Sequence, residues 1–154
     1  MRRLFVPFLV VASLAGGTAA FTQSFQVALG GKRGPEQPIA FSHQIHAGKL
    51  QMDCLYCHYA AGKSPSANIP TVETCMGCHK VAAVDRPEIQ KLAALYAKGE
   101  SPAWNEVYRL PDHVKFNHVR HVKAGVACQT CHGPVQEMDV VYQYSSLKMG
   151  WCID

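Results

Sequence analysis

Cysteine and histidine recur together in three short units of the order C-x-x-C-H, at residues 54–58, 75–79 and 128–132. In this order the two thiols can add to the vinyl groups of a haem, and the histidine that follows can bind the iron. The three units therefore predict three covalently attached haems c. Their cysteines and histidines are Cys54, Cys57 and His58, Cys75, Cys78 and His79, and Cys128, Cys131 and His132.

A C-x-x-C pair also occurs in zinc sites, redox dithiols and disulfides, so the position of the histidines decides between these chemistries. A zinc ribbon pairs two C-x-x-C units but needs no histidine directly after each second cysteine. Here all three units have that histidine, and the eight histidines of the chain lie either in a unit or in two groups upstream. Haem attachment is the favoured interpretation. A zinc-structured interaction module is the alternative from a different class.

Two of the units are preceded by the pattern F-x-H-x-x-H, at residues 41–46 and 116–121. Histidines three apart are one helical turn apart, so both can project from one face of a helix. We expect this second set, His43, His46, His118 and His121, to bind iron opposite the attachment histidines. Iron held by two histidines has no free position for a substrate. The chain is therefore predicted to relay electrons and not to be an enzyme itself.

Other side chains are weaker candidates as iron ligands. His113 lies outside the repeated pattern, and a surface position explains it equally well. Met52, Met138 or Met149 could replace a histidine at iron, although methionines at such positions more often fill space in a core. The histidines remain the favoured set.

The seventh cysteine, Cys152, stands outside the three complete units. With Ile153 and Asp154 it would form the start of a fourth attachment unit that is cut after its third residue. We expect the chain to be a fragment or to end early, since an unpaired cysteine is usually avoided in an oxidising compartment. A free thiol near the C-terminus is the alternative.

The chain divides into three regions by composition. Residues 1–29 begin with two arginines and continue as an apolar run, which is typical of a secretory signal peptide or of an uncleaved membrane anchor. Residues 30–38 form a linker rich in glycine and proline. Residues 39–154 form the multihaem domain. Either kind of N-terminus predicts export of the cysteine-bearing part, because the positive end of such a segment stays in the cytoplasm.

The multihaem domain is predicted to be mostly irregular, with short α-helices and a core made largely of porphyrin. It has little over a hundred residues in which to build an ordinary apolar core, and the chain carries 12 glycines and 9 prolines. A short helix is expected to start near residue 71, and a second after Asp85, with Asp85 as N-cap and Gly99 at its end. The apolar face of the second helix is expected to pack on a haem, with a neighbouring subunit as the alternative. The net charge of +4 does not indicate a nucleic-acid partner.

The F-x-H-x-x-H pattern ahead of C-x-x-C-H resembles the class III multihaem cytochromes. A longer path is more specific: IAFSHQIHAGKLQMDCLYCH, then TCMGCHK, VKFNHVRHVKAGVACQTCHG and SLKMGWCID. Over roughly residues 38–154 it is similar to the membrane-anchored multihaem cytochrome subunit of alternative complex III, a bacterial quinol:electron-acceptor oxidoreductase. The resemblance favours an uncleaved transmembrane helix in residues 1–29. It departs from the family in having three complete attachment units where that subunit carries five haems.

The resemblance implies a set of functional assignments. Electrons from quinol would pass along closely packed haems to a periplasmic cytochrome or a terminal oxidase. Iron–sulfur and integral membrane subunits would be partners, at the bacterial inner membrane with the haem domain on the periplasmic side. His43 and His118 would serve the haem of their own repeat, whereas His46 and His121 would reach other haems. A small membrane-anchored quinol dehydrogenase of the tetrahaem type is the rival interpretation.

Overall fold

The structure, a computed structural model, describes residues 34–153 as short helices joined by irregular segments, with no β-strand among them. In chain order these are a π-helix Gln44–Lys49, α1 Cys54–Cys57, a 3₁₀ turn Tyr59–Gly62, α2 Val72–His79, α3 Pro87–Lys98, α4 His118–Lys123, α5 Cys128–His132, a 3₁₀ turn Val135–Glu137 and α6 Met149–Ile153. Within this range no helix has the length and apolarity needed to cross a membrane. The predicted anchor or signal at residues 1–29 lies outside the described residues.

The described residues form only a small apolar core. Seven apolar side chains are buried: Ile39, Ala60, Ala61, Val72, Met76, Leu92 and Met138. Several larger ones are instead well exposed, including Leu50 at 63% and Tyr56 at 56%. A porphyrin is a large apolar group of the kind that would cover such side chains. The mostly irregular, short-helical fold predicted from the sequence is thus what the described residues show.

The longest helix, α3, packs on α2, which carries the second attachment unit. Leu92 of α3 is buried against Val72 and Met76 of α2, and Tyr96 packs against the same cluster. The prediction that the apolar face of α3 packs on a haem is therefore corrected. This face secures the helix that holds Cys75 and the rest of its unit, since Cys75 also touches the cluster.

The N-terminus of α3 also differs from the prediction. Arg86 and not Asp85 is the N-cap, with Pro87 at the first position of the helix. The carboxylate of Glu88 does not complete a capping box, because its Oε2 accepts a hydrogen bond from the Ala40 backbone N–H at 2.9 Å. The C-terminus is as predicted: Gly99 adopts a left-handed conformation, φ 68°, and its N–H closes the last turn.

The two F-x-H-x-x-H segments have different backbones. The first is a π-helix, with the N–H of Leu50 bonded to the carbonyl of Ile45 at 2.9 Å. This wide turn brings Gly48 so close to the Gln136 carbonyl that a Cβ there would lie 2.3 Å from the oxygen. The second segment is the α-helix α4. The side-chain Oδ1 of its N-cap, Asn117, accepts a hydrogen bond from the Val119 backbone N–H.

Candidate haem-binding site

The attachment histidine of each repeat lies opposite the first histidine of the same repeat. The rings of His43 and His58 have their centres 6.4 Å apart, with planes within 6° of parallel. In the second repeat the centres of His118 and His132 are 6.3 Å apart at 10°. The two repeats therefore hold an imidazole pair in the same arrangement, in spite of the different helices that lead into it.

A third pair joins two different units. The centres of His46 and His79 lie 6.0 Å apart, with planes at 68°. His46 belongs to the first repeat, and His79 ends the second attachment unit on α2. This pair matches the reach across to another haem that the resemblance to class III cytochromes implies for His46.

All three separations fit an iron between the rings. A metal–nitrogen bond of about 2 Å, with a ring nitrogen about 1 Å from the ring centre, places two imidazoles on opposite sides of one metal with centres roughly 6 Å apart. The observed values are 6.0, 6.3 and 6.4 Å. The residues present therefore fit bis-histidine haem iron at three positions.

Hydrogen bonds fix the tautomer of five histidine rings. Each donates from Nδ1 to a backbone carbonyl: His46 to Ser42, His58 to Asn68, His79 to Ala82, His118 to Pro65 and His121 to Asn117, at 2.7–3.0 Å. Because a carbonyl can only accept, Nδ1 must carry the proton and Nε2 keeps its lone pair. This is the arrangement that orients a metal-binding imidazole and strengthens it as a donor.

A single loop between the first two units supplies two of these carbonyls. Pro65 accepts from the ring of His118 at 2.8 Å, and Asn68 accepts from His58 at 2.7 Å. Asn68 has a left-handed backbone, φ 56°, and its N–H is held by the hydroxyl of Ser66. Asparagine tolerates that conformation better than most residues. The sequence showed this stretch only as a loop rich in serine, proline and asparagine.

Burial favours the neutral form of two of the histidines, His43 and His132. Desolvation, followed by the proximity of His58 and His46, lowers the pKa of His43 to about 4. Desolvation, followed by His118 and His58, also lowers the pKa of His132. A neutral imidazole is the form that binds a metal, so at neutral pH both rings are ready to act as ligands. The Nδ1 of His43 is buried and has no hydrogen-bond partner among the described residues.

Tyr108 is a residue of the site that the sequence motifs do not single out. Its ring lies edge-on to that of His132, with centres 4.5 Å apart. Its hydroxyl donates to the carbonyl of Tyr142 at 3.1 Å and lies 3.4 Å from that of His132. Burial raises the pKa of Tyr108 to about 12. Its position in the segment 101–111, which carries two aromatic residues, Trp104 and Tyr108, was the available signal.

The attachment cysteines lie beside cysteines of other units. Burial, followed by the neighbouring Cys128 thiol, raises the pKa of Cys54, and the same causes act on Cys57 beside Cys78. Cys131 is affected in the same way by Cys152. Cysteines of the three complete units, together with Cys152, therefore come close to one another at three places.

None of the remaining candidates faces a second imidazole among the described residues. His121 stacks on Phe116, with centres 4.5 Å apart, and no second imidazole faces it among the described residues. His113 is exposed. Met138 is buried as a core residue at 5% exposure, and Met149 is 56% exposed at the start of α6. In the range 34–153 no group of three or more acidic, cysteine or histidine side chains is arranged to hold a bare metal ion.

Comparison with known proteins gives one informative relative. No protein-family model matches the chain. The chain is 35% identical, over 98 residues, to the multiheme cytochrome c subunit of menaquinone reductase from Nitratidesulfovibrio vulgaris. The aligned part is 63% of this chain and 46% of the relative, so the chain spans about half of that protein's length. The similarity supports placing the chain among the multihaem c-type cytochromes, the class that its attachment units predict.

Proposed function

We propose that the chain is an electron-relay subunit that binds haem c at its three complete attachment units and works in a quinone-linked membrane complex. The observation that carries the proposal is the set of three imidazole pairs with ring centres 6.0–6.4 Å apart, each ending in an attachment histidine. A zinc module would not need such pairs. An enzyme acting at iron would leave one face of the metal open.

The residues of this chain would hold the imidazole ligands in position and shield the iron from solvent. Bound haem supplies an iron that accepts and releases one electron at a time. The paired histidines would hold that iron through their Nε2 atoms and would leave no position on it for water or a small substrate. Carbonyls of Ser42, Asn68, Ala82 and Pro65 hold the rings through Nδ1, which favours the more highly charged iron state and so lowers the reduction potential.

His121 is proposed to bind a further haem. It copies His46 closely: each ring donates from Nδ1 to the carbonyl four residues earlier. Each also stacks on the phenylalanine of its own repeat, with centres 4.4 Å apart for Phe41 and 4.5 Å for Phe116. Since His46 is paired with His79, the same geometry at His121 suits an iron whose attachment unit is not one of the three complete ones. Cys152 would belong to such a unit.

Quinone linkage, partners and location are part of the proposal. The relative is named as a subunit of a menaquinone reductase, whereas the resemblance to alternative complex III implies oxidation of quinol. Both link a multihaem cytochrome subunit to quinone chemistry, and haems of this kind conduct in either direction. We propose iron–sulfur and integral membrane subunits as partners, a periplasmic cytochrome or oxidase as the distant redox partner, and the periplasmic side of the bacterial inner membrane as the location.

The first test is haem content. The full chain, produced with haem-attachment machinery, should give a pyridine haemochrome spectrum of haem c and an intact mass that contains three haems on the printed sequence. Its ferric spectrum should be six-coordinate and low-spin at every haem. Zinc without haem, or a high-spin iron with an open face, would overturn the proposal. Mixing the loaded protein with a reduced and with an oxidised menaquinone analogue then shows which direction of transfer is fast.

A further inference from the structure

We infer that the haem of the first attachment unit, ligated by His43 and His58, lies between the other two, so that electrons pass in the order second, first, third unit. This spatial order differs from the order of the units along the chain. The inference rests on the proposed haem-binding function and adds the route within it. It is carried by two sets of contacts, one on each side of the first unit.

The first set of contacts joins the first and second units. His43 is the N-cap of the π-helix, and His46 is its third residue. One ring faces His58 of the first unit and the other faces His79 of the second. Phe41 fills the space between them, with its ring centre 4.9 Å from that of His43 and 4.4 Å from that of His46. Ligands of two irons are thus packed around one phenyl ring.

The second set joins the first and third units. Pro65 and Asn68 belong to the same short loop, and their carbonyls hold the rings of His118 and His58. The backbone N–H of His118 also bonds to the Pro65 carbonyl at 3.0 Å. A ligand of the third iron and a ligand of the first are therefore fixed three residues apart on one piece of backbone.

The thiols show the same order. Cys57 of the first unit lies near Cys78 of the second, and Cys54 of the first unit lies near Cys128 of the third, with a hydrogen bond between the two thiols. A thioether sulfur marks the edge of the porphyrin to which it is bound. Within residues 34–153, no hydrogen bond or ring contact joins the His46–His79 pair to the His118–His132 pair.

The order can be tested magnetically, because one ligand pair has a distinct spectrum. The electron paramagnetic resonance of low-spin ferric haem depends on the angle between its imidazole planes. The His46–His79 pair at 68° should give a signal separate from those of the pairs at 6° and 10°. We call this separate signal the reporter. Its spin relaxation is accelerated by a neighbouring ferric haem, and that effect disappears when the neighbour becomes diamagnetic on reduction.

The experiment compares His58→Met with the matched variant His132→Met in the haem-loaded full chain. Methionine at iron raises the reduction potential. The altered haem can therefore be reduced alone, at a poised potential, while the other two stay ferric. Selective reduction should slow the relaxation of the reporter in His58→Met and leave it unchanged in His132→Met. If a variant does not load, His43→Met or His118→Met alters the same iron from its other side.

The outcomes separate the route from the function. Equal slowing in both variants, slowing only in His132→Met, or no slowing in either would overturn the proposed order while leaving a haem-binding protein. A wild-type chain that takes up no haem would instead overturn the proposed function before any variant is made. The expected asymmetry between the two variants supports the central position of the first haem.

Discussion

Pro65 accepts two hydrogen bonds from His118, one from the backbone N–H at 3.0 Å and one from the ring Nδ1 at 2.8 Å. The two residues are 53 positions apart in sequence. This contact ties the second repeat to the loop that follows the first attachment unit. It also gives that loop, which carries no ligand of its own, control over the orientation of two imidazoles.

Replacing Asn68 by valine should strain the backbone at this position and weaken the hydrogen bond that its carbonyl accepts from His58 of the first unit. Asn68 has φ 56°, and a β-branched residue in that conformation costs about 1–2 kcal/mol. Relief of the strain would move the carbonyl away from His58, which weakens the imidazole as a donor and raises the potential of its haem. Thermal unfolding and a redox titration of the loaded chain measure the two effects. Asn68→Gly is the matched control, since glycine adopts this conformation freely.

Replacing Phe41 by leucine should alter the ring plane of His46. The phenyl ring lies at 22° to the imidazole and covers one of its faces, so its loss should change the 68° angle with His79 and shift the reporter signal. A stability loss of about 0.5–1.5 kcal/mol is expected in addition to the lost apolar contact. Phe41→Tyr, which keeps the ring, and Phe116→Leu in the other repeat should both leave the reporter signal in place. A shift of similar size in Phe116→Leu would contradict this role.

Tyr108→Phe should separate the role of the Tyr108 hydroxyl from the role of its ring. The variant loses the hydroxyl that donates to Tyr142, at a cost of about 0.5–1.5 kcal/mol, but keeps the ring against His132. We therefore expect a lower unfolding temperature with an unchanged spectrum of the third haem. Tyr108→Leu removes the ring as well, and should also shift the potential of that haem. Redox titration with simultaneous optical detection distinguishes the cases.

Glu88 should give a pH dependence below neutrality. Hydrogen bonds from Lys91 and from the Ala40 N–H lower its pKa below the usual 4.5. The charged form is therefore favoured in the folded state, and its contribution to stability is present above that value and is lost as the pH falls through the lowered pKa. Glu88→Gln can still accept from Ala40 but does not titrate. The difference in unfolding temperature between wild type and variant should shrink as the pH is lowered from about 6 to about 3.

The sequence predicted which side chains carry the chemistry of the site, but not the backbone groups that hold those side chains in place. The attachment units are defined by contiguous residues, and the F-x-H-x-x-H spacing places candidate ligands within one turn, so both were visible without a structure. The carbonyls of Pro65 and Asn68 were not, because backbone acceptors carry no residue signature and their partners are distant in sequence. The assignment of each upstream histidine to the haem of its own or of another unit was implied by the family resemblance and not by the spacing of the residues.

Short-range sequence patterns gave wrong predictions for the N-cap and the apolar face of α3 for a similar reason. Asp85 and Glu88 have the spacing of a capping box, but the Glu88 carboxylate is engaged by Ala40, 48 residues away. The apolar face of α3 was expected to meet a haem because this helix carries no iron ligand of its own. It meets α2 instead, since Val72 and Met76 on that helix provide a matching surface.

The small apolar core has a consequence for how the protein is made. With only seven buried apolar side chains among the described residues, the polypeptide gains little by compacting before its cofactors are in place. An extended, slowly collapsing chain presents each cysteine pair to the maturation enzymes without steric competition from finished tertiary structure. Haem ligation is then the event that drives collapse, and assembly is ordered by the rate at which the attachment machinery works along the chain. Folding speed would accordingly follow the supply of haem more closely than any property of the helices.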